Sequence, residues 1–269
     1  MIQQPNNITS EYCQMEKTSL CIVCSDQTKH EQADNFSSTH NLPLYSEKNP
    51  DFALQLHFRS DHIELYDSEL ATSIHVDFVS GALAHREQFG GGKGQAIAKA
   101  IGLKKFDRPT VIDASAGLAR DAYVLATLGC QLTLIERSPV LYCMLRDGIE
   151  RALLLADQDR AIHNFTNLVY ANTRLYLEHM DPDSKPDVIY FDPMYPERKK
   201  SALVKKDMQI LHKLIGANDD ESELLEVALQ YAKHRVVVKR PIHAEPLSGK
   251  KPTMAITSKK TRYDVYVVT

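Results

Sequence analysis

Apolar and polar residues alternate in short runs along the first eighty residues of the chain. The runs are Leu20 to Val23, Ala53 to Phe58, Ile63 to Tyr66 and Ile74 to Phe78. Turn-forming pairs, Asn49-Pro50 and Ser60-Asp61, separate them. A period of two residues bounded by turns is typical of strands that bury one face. We therefore predict a small, largely antiparallel sheet in an N-terminal β-rich region, residues 1–80.

From Gly81 onward the pattern changes to strands that alternate with helices. The predicted strands are Thr110 to Ala114, Leu132 to Glu136, Asn167 to Ala171, Asp187 to Asp192, Arg235 to Lys239, and a closing hairpin of Thr253 to Thr257 with Tyr263 to Val268. The predicted helices include Ala96 to Ile101, Leu118 to Leu128, a helix opened by Ser138-Pro139, Ala202 to Ile215 and Glu221 to Ala232. This order predicts an α/β fold, a doubly wound, mostly parallel seven-stranded sheet, in one Rossmann-like domain over residues 81–269.

Composition narrows the class of protein. The chain has 269 residues, of which 43% are hydrophobic, enough for a sizeable buried core. Five cysteines, an odd number, do not suggest a secreted disulfide framework. No apolar run reaches the ~18 to 20 residues of a membrane span, and the first residues are polar. We expect a soluble cytoplasmic protein. A single Cys21-x-x-Cys24 pair is too little for a zinc site, so we predict no metal.

Charge is distributed unevenly along the chain. Residues 1–80 hold 4 basic and 12 acidic side chains, whereas residues 197–262 hold 15 basic and 8 acidic ones. A basic C-terminal third in an acidic chain suggests contact with a polyanion such as RNA. Lysines and arginines that merely solvate helices are an equally good explanation of the charge alone.

The ends of the first two parallel strands suggest a nucleoside cofactor. Small residues follow Asp113, at positions 114, 116, 117 and 119; they let the backbone approach a ligand and expose amides at the start of the next helix. Glu136 ends the second strand, where a carboxylate can accept both hydroxyls of a ribose. The degraded fingerprint Gly117-x-Ala119-x-x-Ala122 leaves an NAD-dependent oxidoreductase as an alternative. A strand-to-helix turn without a ligand is a further one.

The fourth strand carries a more specific signal. Val188 to Phe191 is an apolar run that delivers Asp192-Pro193-Met194-Tyr195-Pro196 to the carboxyl edge of the sheet. A carboxylate and a turn carbonyl can accept the two hydrogens of an exocyclic amine while an aromatic ring stacks on the base. The segment resembles the Asp-Pro-Pro-Tyr signature of methyltransferases acting on amino groups of adenine or guanine. We predict Asp192, Pro193 and Tyr195 as the catalytic residues.

Longer motifs make the resemblance specific. The chain is similar, over about residues 75–269, to the RsmJ family of bacterial 16S rRNA (guanine-N2)-methyltransferases. The motifs that carry the similarity are Asp77-Phe78-Val79 with Gly81 to Arg86, Phe89 to Gly94, Asp113 to Asp121, Asp192 to Pro196, Lys200 to Lys206 and Val236 to Pro241. The resemblance implies a class I S-adenosylmethionine-dependent fold and methyl transfer to the N2 amine of the guanine at position 1516 of 16S rRNA. The implied partner is 16S rRNA or the 30S subunit, with no membrane and no obligate protein partner.

The resemblance also assigns residues. The implied cofactor-binding positions, together with those expected from the strand ends, are Asp113, Gly117, Arg120, Asp121, Glu136, Arg137, Asn172, Thr173 and Asp192. Ala119 stands where the family usually has glycine, and Asn172 and Thr173 stand where it usually has serines. The predicted RNA contacts are His85, Arg86, Lys93, Lys200, Lys205, Lys206, Lys239 and Arg240. The glycine loop Phe89 to Gly94 could hold the methionine carboxylate, an RNA phosphate or no ligand at all.

Two other functions remain open from the sequence. A methyltransferase for another nucleic-acid amine, such as adenine N6, would use the same Asp192 turn. A nucleotide-binding RNA chaperone without turnover would not need it. Mapping the modified nucleotide separates the first from the guanine enzyme, and titration with S-adenosylhomocysteine and NAD separates both methyltransferases from an oxidoreductase.

Overall fold

A seven-stranded sheet forms the centre of the C-terminal part of the chain. The computed structural model describes residues 20–80, 92–157, 160–193, 206–216, 221–259 and 261–268. The strands are β6 (Thr110–Asp113), β7 (Gln131–Glu136), β8 (Phe165–Tyr170), β9 (Val188–Phe191), β10 (Arg235–Pro241), β11 (Met254–Thr257) and β12 (Thr261–Val267). Their order is β11-β12-β10-β9-β6-β7-β8. The pairings of β12 with β10 and β11 are antiparallel, and the other described pairings of this sheet are parallel. The predicted doubly wound sheet and closing hairpin are confirmed.

Helices cover both faces of this sheet because alternate strand residues point to opposite sides. The helices of the first face are α2 (Ala96–Ile101), α3 (Arg120–Thr127), α4 (Pro139–Leu155) and α6 (Lys206–Ile215), and they share a core with Val111, Leu134, Tyr190 and Val237. On the second face lie α5 (Thr173–Glu178) and α7 (Glu221–Tyr231), packed on Ile112, Ile189, Phe191 and Val238. Ser138 caps α4 with its side chain, and Pro139 is the first helical residue, as the sequence predicts.

The N-terminal region differs from the prediction in two respects, the pairing of its strands and the presence of a helix. It contains β1 (Leu20–Val23), α1 (His30–His40), β2 (Leu44–Tyr45), β3 (Leu54–Phe58), β4 (Ile63–Asp67) and β5 (Thr72–His75). The sheet order is β2-β1-β3-β4-β5, and β1 pairs in parallel with both β2 and β3. The sheet is therefore mixed, and the expectation of a largely antiparallel sheet was wrong. Helix α1 supplies the crossover that a parallel β1–β2 pair requires, and its mostly polar sequence with one buried residue, Ala33, hid it from pattern analysis.

The N-terminal sheet packs on α4 and shares one apolar core with the seven-stranded sheet. Ile22 of β1 is buried in the same cluster as Leu56 of β3 and the α4 residue Leu141. Asp147 of α4 accepts hydrogen bonds from the Ile63 amide at 3.1 Å and from the Arg151 side chain at 2.9 Å. The division at residue 80 stays a prediction, and the two parts are held by a continuous core.

The strand order reverses between β6 and β9. After β6 the chain builds β7 and β8 on one side, then returns to place β9 on the other side of β6. The two helical connections therefore leave in opposite directions and open a crevice at the carboxyl ends of β6 and β9. Ligands of doubly wound sheets bind at such a point.

Two further structural observations concern membranes and metals. Among the helices within the described ranges, none is long and apolar enough to cross a membrane. Likewise, no cluster of three or more His, Cys, Asp or Glu side chains suited to a metal ion occurs in the described part of the chain. Cys21 and Cys24 are buried thiols on and just after β1, and burial raises the pKa of Cys21 to about 12.

Gly148 marks the closest approach of α4 to the N-terminal region. A Cβ added there would lie 2.6 Å from Val76 Cγ1 and 3.1 Å from the Val76 carbonyl oxygen. We predict that Gly148→Ala lowers the free energy of unfolding by about 1–3 kcal/mol through overpacking, although alanine normally favours a helix interior. Urea unfolding measures the change. Gly94→Ala is the control, because a Cβ at Gly94 meets nothing within 4 Å, and an equal loss in both variants would contradict the packing argument.

Candidate active site

Three parallel strands bring polar side chains to the crevice. Asp113 is the last residue of β6, Asp192 follows the last residue of β9, and Lys239 lies near the end of β10. Asp113 pairs with Tyr190 across β6 and β9, and Val238 pairs with Phe191 across β10 and β9. Since neighbouring parallel strands are about 4.8 Å apart, this register places the three side chains next to one another.

The turn after β6 is held by backbone and side-chain hydrogen bonds to both neighbouring strands. The Ala114 amide donates to the Tyr190 carbonyl at 2.8 Å, and the Ala116 amide donates to the Ile135 carbonyl at 3.1 Å. Ser115 Oγ accepts the Asp192 amide at 2.9 Å, which couples this turn to the Asp192-Pro193 exit. Gly117 and Ala119 have φ angles of 55° and 51°. Ala119 thus adopts the left-handed conformation that glycine accepts at lower cost.

Glu136 supports the same turn from the end of β7. Its Oε2 accepts the Gly117 amide at 2.8 Å, and its Oε1 accepts the Ser138 amide at 2.7 Å. Burial raises the pKa of Glu136, and the two amides oppose that effect. Each carboxylate oxygen has a second lone pair, so the predicted contact with ribose hydroxyls is compatible with this bracing of the turn.

Lys239 lies between two carboxylates. Its Nζ donates to Oδ2 of Asp121 and to Oδ2 of Asp192, each at 2.7 Å. Tyr190 Oη also donates to Asp121 Oδ2, at 2.6 Å. The pKa of Lys239 is raised overall: burial acts to lower it, and the two carboxylates outweigh that effect.

Burial controls the acidity of the two strand-end aspartates. It raises the pKa of Asp113, whose side chain is almost fully enclosed, to about 8, and Asp121, Asp192 and Glu136 add to this rise. It also raises the pKa of Asp192 to about 6, with Lys239 opposing the shift and Asp121 adding to it. The Asp192 side chain remains 40% exposed at the crevice. Perturbed carboxyl groups in a crevice are typical of functional sites.

Comparisons with known proteins agree with this geometry. Residues 37–268 match the family described as "Putative SAM-dependent methyltransferase". Ribosomal RNA small subunit methyltransferase J of Colwellia psychrerythraea is 53% identical over 220 residues, 81% of this chain and 78% of that protein. The protein of the same name from Thioalkalivibrio sulfidiphilus is 45% identical over 254 residues, 94% and 99% of the two chains.

A solved structure extends the agreement to the fold. The SAM-dependent methyltransferase of Neisseria gonorrhoeae is 36% identical, with a TM-score of 0.72 over 92% of this chain and 95% of that one. The chain belongs to the ribosomal RNA small subunit methyltransferase J family. It has the class I S-adenosylmethionine-dependent methyltransferase fold, and its cofactor is S-adenosylmethionine. The NAD-dependent oxidoreductase alternative is thereby excluded.

The crevice suits this cofactor. S-adenosylmethionine is cationic at its sulfonium and its ammonium. The crevice holds the carboxyl groups of Asp113, Asp121, Glu136 and Asp192, and Lys239 pairs with two of them, Asp121 and Asp192. Gly117, with a φ angle of 55°, presents no side chain at the turn and leaves room for close approach of a ligand to the backbone. The family's cofactor can therefore be held by the residues present.

Other predicted cofactor positions have structural roles in this arrangement. Arg120 forms an ion pair with Asp207 of α6 at 2.6 Å, between half-exposed side chains. Asn172 caps α5 by accepting the Leu175 amide at 3.3 Å, and Thr173 Oγ1 donates to the Ala114 carbonyl at 2.7 Å. Arg137 is exposed beside Glu136. Whether these residues also contact the cofactor stays a prediction.

The predicted RNA contacts divide into three groups. Lys93 and Lys206 are exposed, as phosphate contacts must be. Lys239 instead lies between the two carboxylates, and Arg240 is buried with its guanidinium donating to the Glu245 carbonyl. Lys239 is thus part-buried and Arg240 is buried, so neither is a freely exposed cation, and whether they contact RNA stays a prediction. Five predicted residues lie outside the described ranges: His85, Arg86, Lys200 and Lys205, predicted to contact RNA, and Tyr195, predicted to be catalytic. Pro193, also predicted to be catalytic, is described and buried.

The sequence did not reveal the partners of Lys239. Tyr190 and Ser115 were also missed as members of the site. The parallel register of β9 and β10 brings Lys239 next to Asp192, because Val238 pairs with Phe191 and these are the next residues along the two strands. Aligning the apolar run that ends at Phe191 with the one that ends at Val238 predicts the contact between Asp192 and Lys239.

Asp113 makes the stability of the protein depend on pH. Its native pKa of about 8 lies above the ordinary value near 4, so the native state binds more protons than the unfolded state between these values. This carboxyl group therefore lowers the free energy of unfolding progressively as the pH rises from about 4 to about 8. We predict that Asp113→Asn gains stability relative to the native sequence across this window. Urea unfolding at a series of pH values measures it, and parallel pH dependences of the two proteins would contradict it.

Proposed function

We propose that this protein transfers a methyl group from S-adenosylmethionine to the exocyclic N2 amine of a guanine in 16S rRNA. The names of its relatives support the rRNA substrate. The observation that carries the chemistry is the position of Asp192, a part-exposed carboxylate at the strand-order reversal, fixed through its amide by Ser115 and through Oδ2 by Lys239. The choice of guanine N2 rests on the family resemblance of the Asp192 segment.

Asp192 addresses the chemical difficulty of the reaction. The lone pair of an exocyclic amine is delocalised into the base, so the nitrogen is a weak nucleophile. A carboxylate that accepts a hydrogen bond from the amine orients it and favours the pyramidal geometry needed for attack. A fixed negative charge beside the nitrogen also stabilises the positive charge that develops there. No covalent intermediate with the protein is needed.

The charges and atoms of the step balance with this carboxylate present. Bound S-adenosylmethionine supplies an electrophilic methyl group. The amine nitrogen would form the new N–C bond with its lone pair while the bond between the methyl carbon and sulfur breaks. The bonding pair stays on sulfur, S-adenosylhomocysteine leaves, and the nitrogen then loses one of its two original protons. Asp192, whose pKa is about 6, can hold that proton at Oδ1 before it passes to water.

The base must leave its stack to reach Asp192. A paired guanine is inaccessible in a helix, so the target is unpaired or flipped out. Tyr195, by the resemblance, would stack on the extruded base. The exposed Lys93 and Lys206 are available to neighbouring phosphates. Free 16S rRNA and the 30S subunit are both candidate substrates, and either one makes the cytoplasm the expected location.

We predict that Asp192→Asn reduces methyl transfer at least 100-fold, because asparagine accepts the hydrogen bond without the negative charge. The assay measures labelled methyl transfer to 30S subunits and to naked 16S rRNA from cells that lack the protein, followed by nucleoside analysis. N2-methylguanosine is the expected product. Label in N6-methyladenosine would instead identify adenine as the target base.

A matched control isolates the position of the charge. Asp183 is an exposed aspartate before the amino end of β9, away from the carboxyl edge. Asp183→Asn removes one negative charge and should leave transfer unchanged. Full activity of Asp192→Asn, or an equal loss in both variants, would refute the role of Asp192.

RNA binding should depend strongly on salt. Each Lys or Arg that neutralises a phosphate releases condensed counterions, so the logarithm of the association constant falls with the logarithm of the salt concentration. We predict a slope that becomes less negative by about 0.7–1 when Lys206, which is exposed at the start of α6, is replaced by Gln. Filter binding to a 16S rRNA fragment measures the slope, and an unchanged slope would remove Lys206 from the interface.

A further inference from the structure

Four side chains form a hydrogen-bonded chain beneath the crevice. Tyr190 Oη donates to Asp121, Lys239 donates to the same Asp121 oxygen, and Lys239 also donates to Asp192 Oδ2. These residues come from β9, α3 and β10, so the chain links three elements around the end of the sheet. Lys239 is its central member, because it joins the carboxylate on the helix to the carboxylate at the strand end.

The chain occupies one oxygen of Asp192. Oδ2 accepts from Lys239 at 2.7 Å, and among the described residues no hydrogen bond to Oδ1 is present. The Asp192 amide is fixed independently by Ser115 Oγ. A carboxylate anchored at its backbone and at one oxygen has little rotational freedom, so the other oxygen is the one available to a substrate.

The surrounding charges make this anchoring electrostatically necessary. Burial and Asp121 both disfavour ionised Asp192, and Lys239 opposes them. The other titratable or charged groups near the chain are Asp113 on β6, Glu136 on β7 with Arg137 beside it, and Tyr263 on β12. Lys239 is the cation that contacts Asp192 directly. Removing its charge would leave Asp121 and Asp192 without the cation that pairs with both of them.

We propose that Lys239 is a positioning residue that holds Asp192 in its ionised form through Oδ2 and leaves Oδ1 for the exocyclic amine of the target base. This role rests on the proposed function, since it acts through Asp192. It also differs from a phosphate contact, which would act on RNA binding, and from a cofactor contact, which would act on S-adenosylmethionine binding.

The pH dependence of methyl transfer tests the role. The acid limb of the pH profile of kcat/KM for RNA reports the pKa of an essential group of the free enzyme. If that group is Asp192, the limb should lie near pH 6. Lys239→Met should move this limb upward by about one pH unit or more, because the loss of a neighbouring positive charge raises the pKa of a carboxyl group. Lys239→Arg keeps the charge and should return the limb close to its original position.

A second variant should move the acid limb of the pH profile in the opposite direction. Asp121→Asn removes the carboxylate that repels Asp192 and leaves the Lys239–Asp192 pair in place. The acid limb should then move downward. Equal displacement in the same direction for Lys239→Met and Asp121→Asn would contradict the proposal, because general damage to the site would explain it.

A measurement without catalysis separates this inference from the proposed function. Carbon-13 NMR of protein labelled at aspartate carboxyl carbons can follow the titration of Asp192, identified by the signal missing in Asp192→Asn. The midpoint should rise in Lys239→Met whether or not the protein methylates guanine. An unchanged midpoint overturns the role of Lys239, whereas absence of N2-methylguanosine with a raised midpoint overturns the proposed substrate alone.

Two other results would give Lys239 a different role. A raised KM for RNA with a salt slope less negative by about 0.7–1, and no pH shift, would make it a phosphate contact. Loss of S-adenosylhomocysteine binding by calorimetry, again without a pH shift, would make it a cofactor contact. Thermal unfolding of each variant shows that it is folded before these comparisons are made.

Discussion

The parallel register of β6, β9 and β10 is the constraint on which the site depends. It brings Asp113, Asp192 and Lys239 to one edge of the sheet. Carboxylates at such an edge repel one another and lose water, and both effects favour their neutral forms. An ammonium group beside Asp192 is the local compensation, so the register determines the ionisation of the site as well as its shape.

The N-terminal region contributes to the same site through α6. Lys213 of α6 pairs with Asp67 at 2.8 Å and with Glu69 at 2.7 Å, and Lys206 donates to the Leu70 carbonyl at 3.3 Å. From the other side, Arg120 at the start of α3 pairs with Asp207. Helix α6 is therefore held between the N-terminal sheet and the start of α3, which follows the turn after β6. This gives residues 20–80 a physical connection to the crevice that their acidic composition did not suggest.

The sequence predicted those features that local patterns determine. Strand β1, helix α2 and the Ser138 cap were confirmed because apolar periodicity and capping chemistry are properties of adjacent residues. Helix α1 and the parallel pairing of β1 were missed, since His30–His40 carries a weak apolar pattern and pairing partners are distant in sequence. For the same reason Asp192 was identified from its own motif, whereas its contact with Lys239 depends on a residue 47 positions further along the chain.

The number of basic residues in the C-terminal third overestimates how strongly this part of the protein attracts RNA phosphates. Several of its cations make contacts within the fold. Arg235 donates a hydrogen bond to the Ala100 carbonyl at 2.9 Å, and Arg262 forms an ion pair with two hydrogen bonds to buried Asp264. Lys239 pairs with Asp121 and Asp192. Lys250 is exposed but pairs with Glu226 at 2.9 Å. Sequence-independent attraction to phosphates is therefore weaker than the basic excess implies. Under the proposed function, we therefore expect capture of an extruded base at Asp192 to contribute more to target selection than electrostatic attraction to the RNA backbone does.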